Sequence, residues 1–138
     1  MTHKIFIAFL FATLFAISCN AQDGVQGAKI TIEERLHHFG EVQSDTLLSH
    51  TFSFVNTGSD TLVVEELSAS CGCTAALLDN DKLAPGEKGE VKVTLNTRGK
   101  RGNVRQSVDI FTNDESAWFV TVFVEATVLP KQKSHSAK

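Results

Sequence analysis

Residues 118–128 read WFVTVFVEATV, with Val120, Val122, Val124, Ala126 and Val128 on every second position. A period of two sends alternate side chains to opposite faces of an extended chain, whereas a helix face recurs about every 3.6 residues. The stretch therefore predicts a strand with one continuous aliphatic face. Upstream, Val104, Val108 and Ile110 share a phase and end at the turn Asn113-Asp114-Glu115-Ser116. Val91, Val93 and Leu95 alternate behind Pro85-Gly86, which suits the centre of a type II turn because Gly accepts a positive φ there. Leu48, His50, Phe52 and Phe54 share another phase, closed by Asn56-Thr57-Gly58-Ser59-Asp60.

Two further stretches complete the pattern. Ile30 and Ile32 alternate with polar neighbours, and residues 36–42 form a short run beyond them. Leu62 and Val64 lie in one phase, but Leu67, Ala69, Cys71 and Cys73 lie in the other. A bulge or a switch of sheets near Glu65-Glu66 reconciles them. About seven strands in roughly a hundred residues predict an all-β, immunoglobulin-like sandwich, with a closed barrel as the alternative. The spacing also suggests a hairpin of 36–42 with 47–56, turning around Gln43-Ser44.

The chain of 138 residues has room for one such domain, and its 42% hydrophobic content, with 10 Phe and one Trp, supplies a core. Its net charge of −3 argues against nucleic acid as a partner. Met1-Thr2-His3-Lys4 gives a cationic start, followed by an uncharged run from Ile5 to Ile17. That run suits a signal peptide and is short for a membrane span. Ala16-Ile17-Ser18-Cys19 has the form of a lipoprotein box, which would lipidate Cys19 after cleavage of residues 1–18. Cys19-Asn20-Ala21 suits ordinary cleavage after residues 1–21 instead. Residues 22–28 then form a tether, 29–129 the sandwich and 130–138 a polar tail.

The ordered set HHFGEV at 37–42, SHTFSFVNTG at 49–58, SCGCT at 70–74, PGEKGEVKV at 85–93 and RGNVRQSVDIFTND at 101–114 resembles the domain of unknown function 1573 family. The resemblance covers roughly residues 30–128. It implies a sandwich in the style of major-sperm-protein and cilia-associated domains, exported from a bacterial cell. It brings no catalytic activity with it.

Cys71 and Cys73 carry the sharpest chemistry. Separated by one Gly in an oxidising compartment, they could close a tight disulfide, bind a soft ion such as copper or zinc, or sit buried as inert thiols. The structural readings come first, because a reactive thiol needs an electropositive, partly exposed setting. In the suggested hairpin His50 falls opposite His37 or His38, so His37, His38 and His50 join Cys71 and Cys73 as candidate metal ligands. Single histidines bonded to backbone are the plainer alternative.

Arg98, Lys100, Arg101 and Arg105 gather positive charge in one loop and strand start, while Phe111, Phe119 and Phe123 fall opposite their strands' aliphatic faces. Both sets are candidate partner surfaces. No nucleophile elbow, phosphate loop or zinc-protease helix motif is present in the sequence. The sequence thus predicts a non-enzymatic, exported module of the cell envelope that binds an envelope protein or glycan, needs no cofactor, and meets the membrane only through a lipid on Cys19. The alternative is a periplasmic metal-binding or thiol-redox protein using Cys71 and Cys73.

Overall fold

In the computed structural model, which describes residues 26–131, every regular element is a strand. The signal segment, Cys19 and residues 132–138 of the polar tail lie outside the described residues. The strands are β1 (Ile30–Ile32), β2 (Leu36–Gln43), β3 (Leu47–Asn56), β4 (Leu62–Ala69) and β5 (Thr74–Leu78). They continue with β6 (Lys82–Leu83), β7 (Lys88–Asn96), β8 (Gly102–Thr112) and β9 (Phe119–Leu129). One sheet has the order β1-β3-β7-β5 and the other β2-β9-β8-β4-β6. The fold is an immunoglobulin-like β-sandwich, and short pieces such as β1 and β6 raise the strand number to nine.

The core follows from the alternation. Val120, Val122, Val124, Ala126 and Val128 are all buried, in one cluster with Phe52, Phe54, Val91, Val93, Leu95 and Ile110. The phase change in β4 is a register shift between Val64 and Glu66, where the sequence required one. It lets Leu62 and Val64, and then Leu67 and Ala69, turn to the core on either side of an extra residue. Pro85-Gly86 forms its turn with Gly86 at φ 81° and the Glu87 N–H donating to Ala84 O at 3.0 Å.

The expected hairpin between residues 36–42 and 47–56 does not form. Instead β2 runs parallel to β9 in the five-stranded sheet, with Leu36 opposite Phe123 and Val42 opposite Val128. β3 lies in the other sheet between β1 and β7. Residues 44–46 therefore cross between sheets rather than fold back. Asp45 takes a left-handed φ of 61°, the Ser44 N–H donates to Leu129 O at 3.0 Å, and the Thr97 hydroxyl accepts the Thr46 N–H at 2.8 Å. With these backbone groups satisfied across the gap, β2 completes the free edge of β9.

Asn56, expected only to start a turn, is fully buried. Its Oδ1 accepts from Gly58 N–H at 3.0 Å and Lys29 N–H at 3.4 Å, and its Nδ2 donates to Asp60 O at 2.8 Å and Leu83 O at 2.9 Å. All four of its hydrogen-bonding positions are used, which closes the end of the sandwich where β1, β3 and β6 meet.

Candidate functional site

Cys71 and Cys73 lie between β4 and β5, where the chain leaves one sheet for the other. A disulfide joins them across Gly72, with the Cα atoms 5.3 Å apart. The Cys73 N–H points at Cys71 Sγ at 3.1 Å, the Asn96 N–H donates to Cys73 O at 2.9 Å, and the Thr74 N–H donates to Cys71 O at 3.1 Å. Bonded to each other, the sulfurs are not thiolates and offer a metal little.

The histidines meet by a route other than a hairpin. His37 on β2 and His50 on β3 face each other across the gap between the two sheets. Their rings stack with centroids 3.6 Å apart and 7° between planes. Phe39 meets His37 edge-on at 4.8 Å, and Phe52 meets His50 edge-on at 4.7 Å. Glu34, in the connection between β1 and β2, reaches both rings: Oε1 lies 3.3 Å from His37 Nδ1 and Oε2 3.4 Å from His50 Nε2. The second contact is not aligned as a hydrogen bond, and the buried His50 Nε2 has no hydrogen-bond partner.

His38 does not join them. One residue further along an extended strand, it points out of the sandwich, is 63% exposed and pairs with Glu125 at 3.0 Å. Nor do the cysteines: β9 and β8 stand between β2 and β4, and β7 stands between β3 and β5. At about 4.8 Å per strand, the disulfide lies roughly 10 Å or more from the imidazole pair. The five candidate ligands thus divide into a disulfide, an outward histidine and a stacked pair. Glu34, which the sequence reading missed, completes the pair. Its only local signal is an acidic residue three positions before His37.

The basic group divides as well. Arg98, Lys100 and Arg101 occupy the β7–β8 connection, and Lys100 and Arg101 share one concavity with Asp45 and Lys131. Arg105 lies instead on the outer face of the five-stranded sheet. Its guanidinium sits 3.0 Å from Glu125 and 4.3 Å over the ring of Phe123. Phe123 is thereby covered and separates from Phe111 and Phe119.

Those two keep company with Trp118. Phe111 pairs with Phe119 across the β8–β9 hairpin. Centroids lie 5.7 Å apart for Phe111 and Phe119, 5.6 Å for Phe111 and Trp118, and 4.7 Å for Trp118 and Phe119. Trp118 is 63% and Phe119 39% exposed, so the cluster stands open to solvent. Trp118 is not among the residues the sequence reading offers as a partner surface; its position beside Phe119 is the available signal.

Residues 30–128 match the family model described as "Protein of unknown function (DUF1573)". This chain belongs to the DUF1573 family. No curated protein sequence matches it. Among solved structures, the DUF1573 chain is similar to a protein of unknown function from Porphyromonas gingivalis W83, with TM-score 0.66 and 15% identity over 78% of this chain and 50% of that one. It therefore spans half the length of that relative. The ASH / PapD-like domain 7 of human CEP192 is similar with TM-score 0.58 and 13% identity, covering 75% of this chain and 87% of that domain. SSP-19, an MSP-domain-like protein of Caenorhabditis elegans, has TM-score 0.50 and 16% identity, covering 70% and 98%. At these identities the likeness is one of fold.

Proposed function

We propose that this DUF1573 protein is a non-enzymatic, exported binding module of the bacterial cell envelope, held by a lipid on Cys19 or released after Ala21. In this reading it captures a protein partner on the outer face of its five-stranded sheet. The observation that carries it is the open cluster of Trp118, Phe119 and Phe111. Large aromatic side chains left in water forgo roughly 25 cal/mol per Å² of apolar burial, and exposed Trp clusters of this kind act as anchors in protein interfaces. The planes of Phe111 and Trp118 are 46° apart and those of Trp118 and Phe119 70° apart. Such rings form a knob that fills a pocket in a partner rather than a flat platform for a sugar ring.

The buried polar groups support the non-enzymatic part of the reading. Asp114 is the only buried ionisable side chain among the described residues. Its oxygens are taken up by hydrogen bonds from Ile30, Ser116 and Ala117, at the wall of a concavity it shares with Asp60 and Glu115.

The test is a photo-crosslinking residue placed at position 118 in cells expressing the protein, with position 77 as control. Leu77 is 70% exposed and lies on the other sheet. The expected result is a discrete protein adduct from position 118 only. Equal labelling from both positions, or an adduct to carbohydrate alone, would overturn the reading. Cys19→Ser should release the protein from membranes if that residue carries the lipid, and leave its distribution unchanged if cleavage follows Ala21.

A further inference from the structure

The site formed by Glu34, His37 and His50 lies on the gap between the sheets, on a different surface from the aromatic cluster. One ligand atom from each residue lies within 4.8 Å of the other two. The two contacts from the Glu34 carboxylate, 3.3 Å to His37 Nδ1 and 3.4 Å to His50 Nε2, are long for hydrogen bonds to a carboxylate. They are close to another spacing. A tetrahedral ion with bonds of about 2.0–2.1 Å holds its donors roughly 3.4 Å apart. Because the two contacts run to different carboxylate oxygens and the three ligand atoms span up to 4.8 Å, the donors draw together on binding.

The buried His50 Nε2, without a hydrogen-bond partner, points to the same conclusion. A buried polar nitrogen left unsatisfied is unfavourable, and a cation between it and the carboxylate removes that penalty. We propose that Glu34, His37 and His50 bind a divalent transition-metal ion of the zinc or copper type. Two imidazoles and one carboxylate suit such ions, whereas magnesium and calcium require mainly oxygen donors. Three protein donors leave a fourth tetrahedral position, and Glu34, 52% exposed, keeps the site open to solvent. Water or a ligand group fills it.

Binding also requires a movement that identifies the site. Ring planes 7° apart direct their in-plane lone pairs alongside each other, not at one point. At least one imidazole must therefore rotate out of the stack. His37, on the edge strand β2 and the more exposed of the two, is the freer ring. Each ring has an edge-on phenylalanine, but Phe52 beside His50 is fully buried whereas Phe39 beside His37 is only partly so.

The experiment is calorimetric titration of purified full-length protein with Zn²⁺ and with Cu²⁺, using Mg²⁺ as control. The expected result is one ion per chain for zinc and copper and none for magnesium. Affinity should fall about tenfold or more in Glu34→Gln and in His37→Gln. His38→Gln and the double variant Cys71→Ser/Cys73→Ser should bind as the parent does. Glu34 is exposed in a connection, so Glu34→Gln keeps the fold, and an unchanged far-UV spectrum checks it. Co²⁺ in place of zinc should give the intense visible bands of a tetrahedral centre, lost in Glu34→Gln. No stoichiometric binding, or binding retained in both Glu34→Gln and His37→Gln, would overturn the proposal.

Discussion

The backbone N–H of Ile30 donates to the Asp114 carboxylate at 3.1 Å, across 84 residues of sequence. Through this bond β1 is fastened to the turn that joins β8 and β9. The other oxygen of Asp114 accepts the Ser116 N–H at 2.8 Å, the Ser116 hydroxyl at 2.6 Å and the Ala117 N–H at 3.2 Å. Burial pushes the carboxyl's pKa upward, but the Ser116 hydroxyl and the backbone donors outweigh it and hold the group below its ordinary value of 3.8.

A pH dependence follows. Because the folded-state pKa is depressed, this stabilisation is fully present above 3.8 and is lost as pH falls through the lower folded value. Asp114→Asn should destabilise the domain by about 1–3 kcal/mol at neutral pH. The gap between parent and variant should narrow below pH 3.8. Thermal melts of both proteins across that range measure it, and a gap independent of pH would exclude an ionic contribution from Asp114.

Glycine is required at two positions for space rather than for φ. A Cβ on Gly58 would collide with the carbonyl of Gly27 and the backbone N of Lys29, both main-chain atoms with little freedom to yield. On Gly89 it would meet Phe54 Cζ at 2.6 Å and Leu83 Cδ2 at 2.9 Å, which are side-chain ends. Both alanine substitutions should destabilise, by about 1–3 kcal/mol at Gly89 and by more at Gly58. Urea midpoints of the two variants give the order directly.

Asn56 admits no close substitute. Asn56→Ala leaves two carbonyls and two N–H groups of the closed end without partners, for an expected loss of about 3 kcal/mol or more. Asn56→Asp should be comparably damaging, since it turns the donor that serves Asp60 O and Leu83 O into an acceptor. Equilibrium unfolding of the two variants separates this from a role in volume alone, in which Asp would behave as the parent.

The Cys71–Cys73 disulfide closes a loop with one intervening residue. Chain entropy gives so small a loop only about 1–2 kcal/mol. The variant Cys71→Ser/Cys73→Ser should therefore remain folded at room temperature, with a modestly lower melting temperature and the fluorescence of the single Trp unchanged. Loss of the folded state would show instead that the turn from β4 to β5 depends on the bond.

What the sequence disclosed was local. The alternation in β9, the phase break at Glu65-Glu66 and the Pro85-Gly86 turn are properties of neighbouring residues, and each is present in the structure. Alternation tells which way a side chain points but not which strand lies alongside. Hence the spacing suggests a hairpin of β2 with β3, whereas β2 pairs with β9 and His37 reaches His50 through the gap between sheets. In sequence Glu34 is one of three consecutive charges, Glu33-Glu34-Arg35, with only its spacing to His37 to single it out. Only the packing of both sheets brings its carboxylate to the edges of the two stacked imidazoles.

The parallel pairing of β2 with β9 has a consequence for the order of events as the chain is made. Leu36 cannot find its ladder partner until Phe123 exists, so an early strand waits for the last one. A polypeptide emerging amino end first carries β2 as an unattached ribbon throughout. Such a chain stays unlocked and threadable until β9 appears, and removing β9 leaves β2 without a neighbour and β8 paired with β4 alone. Completion of the last strand is thus the step that turns a passable thread into a closed body.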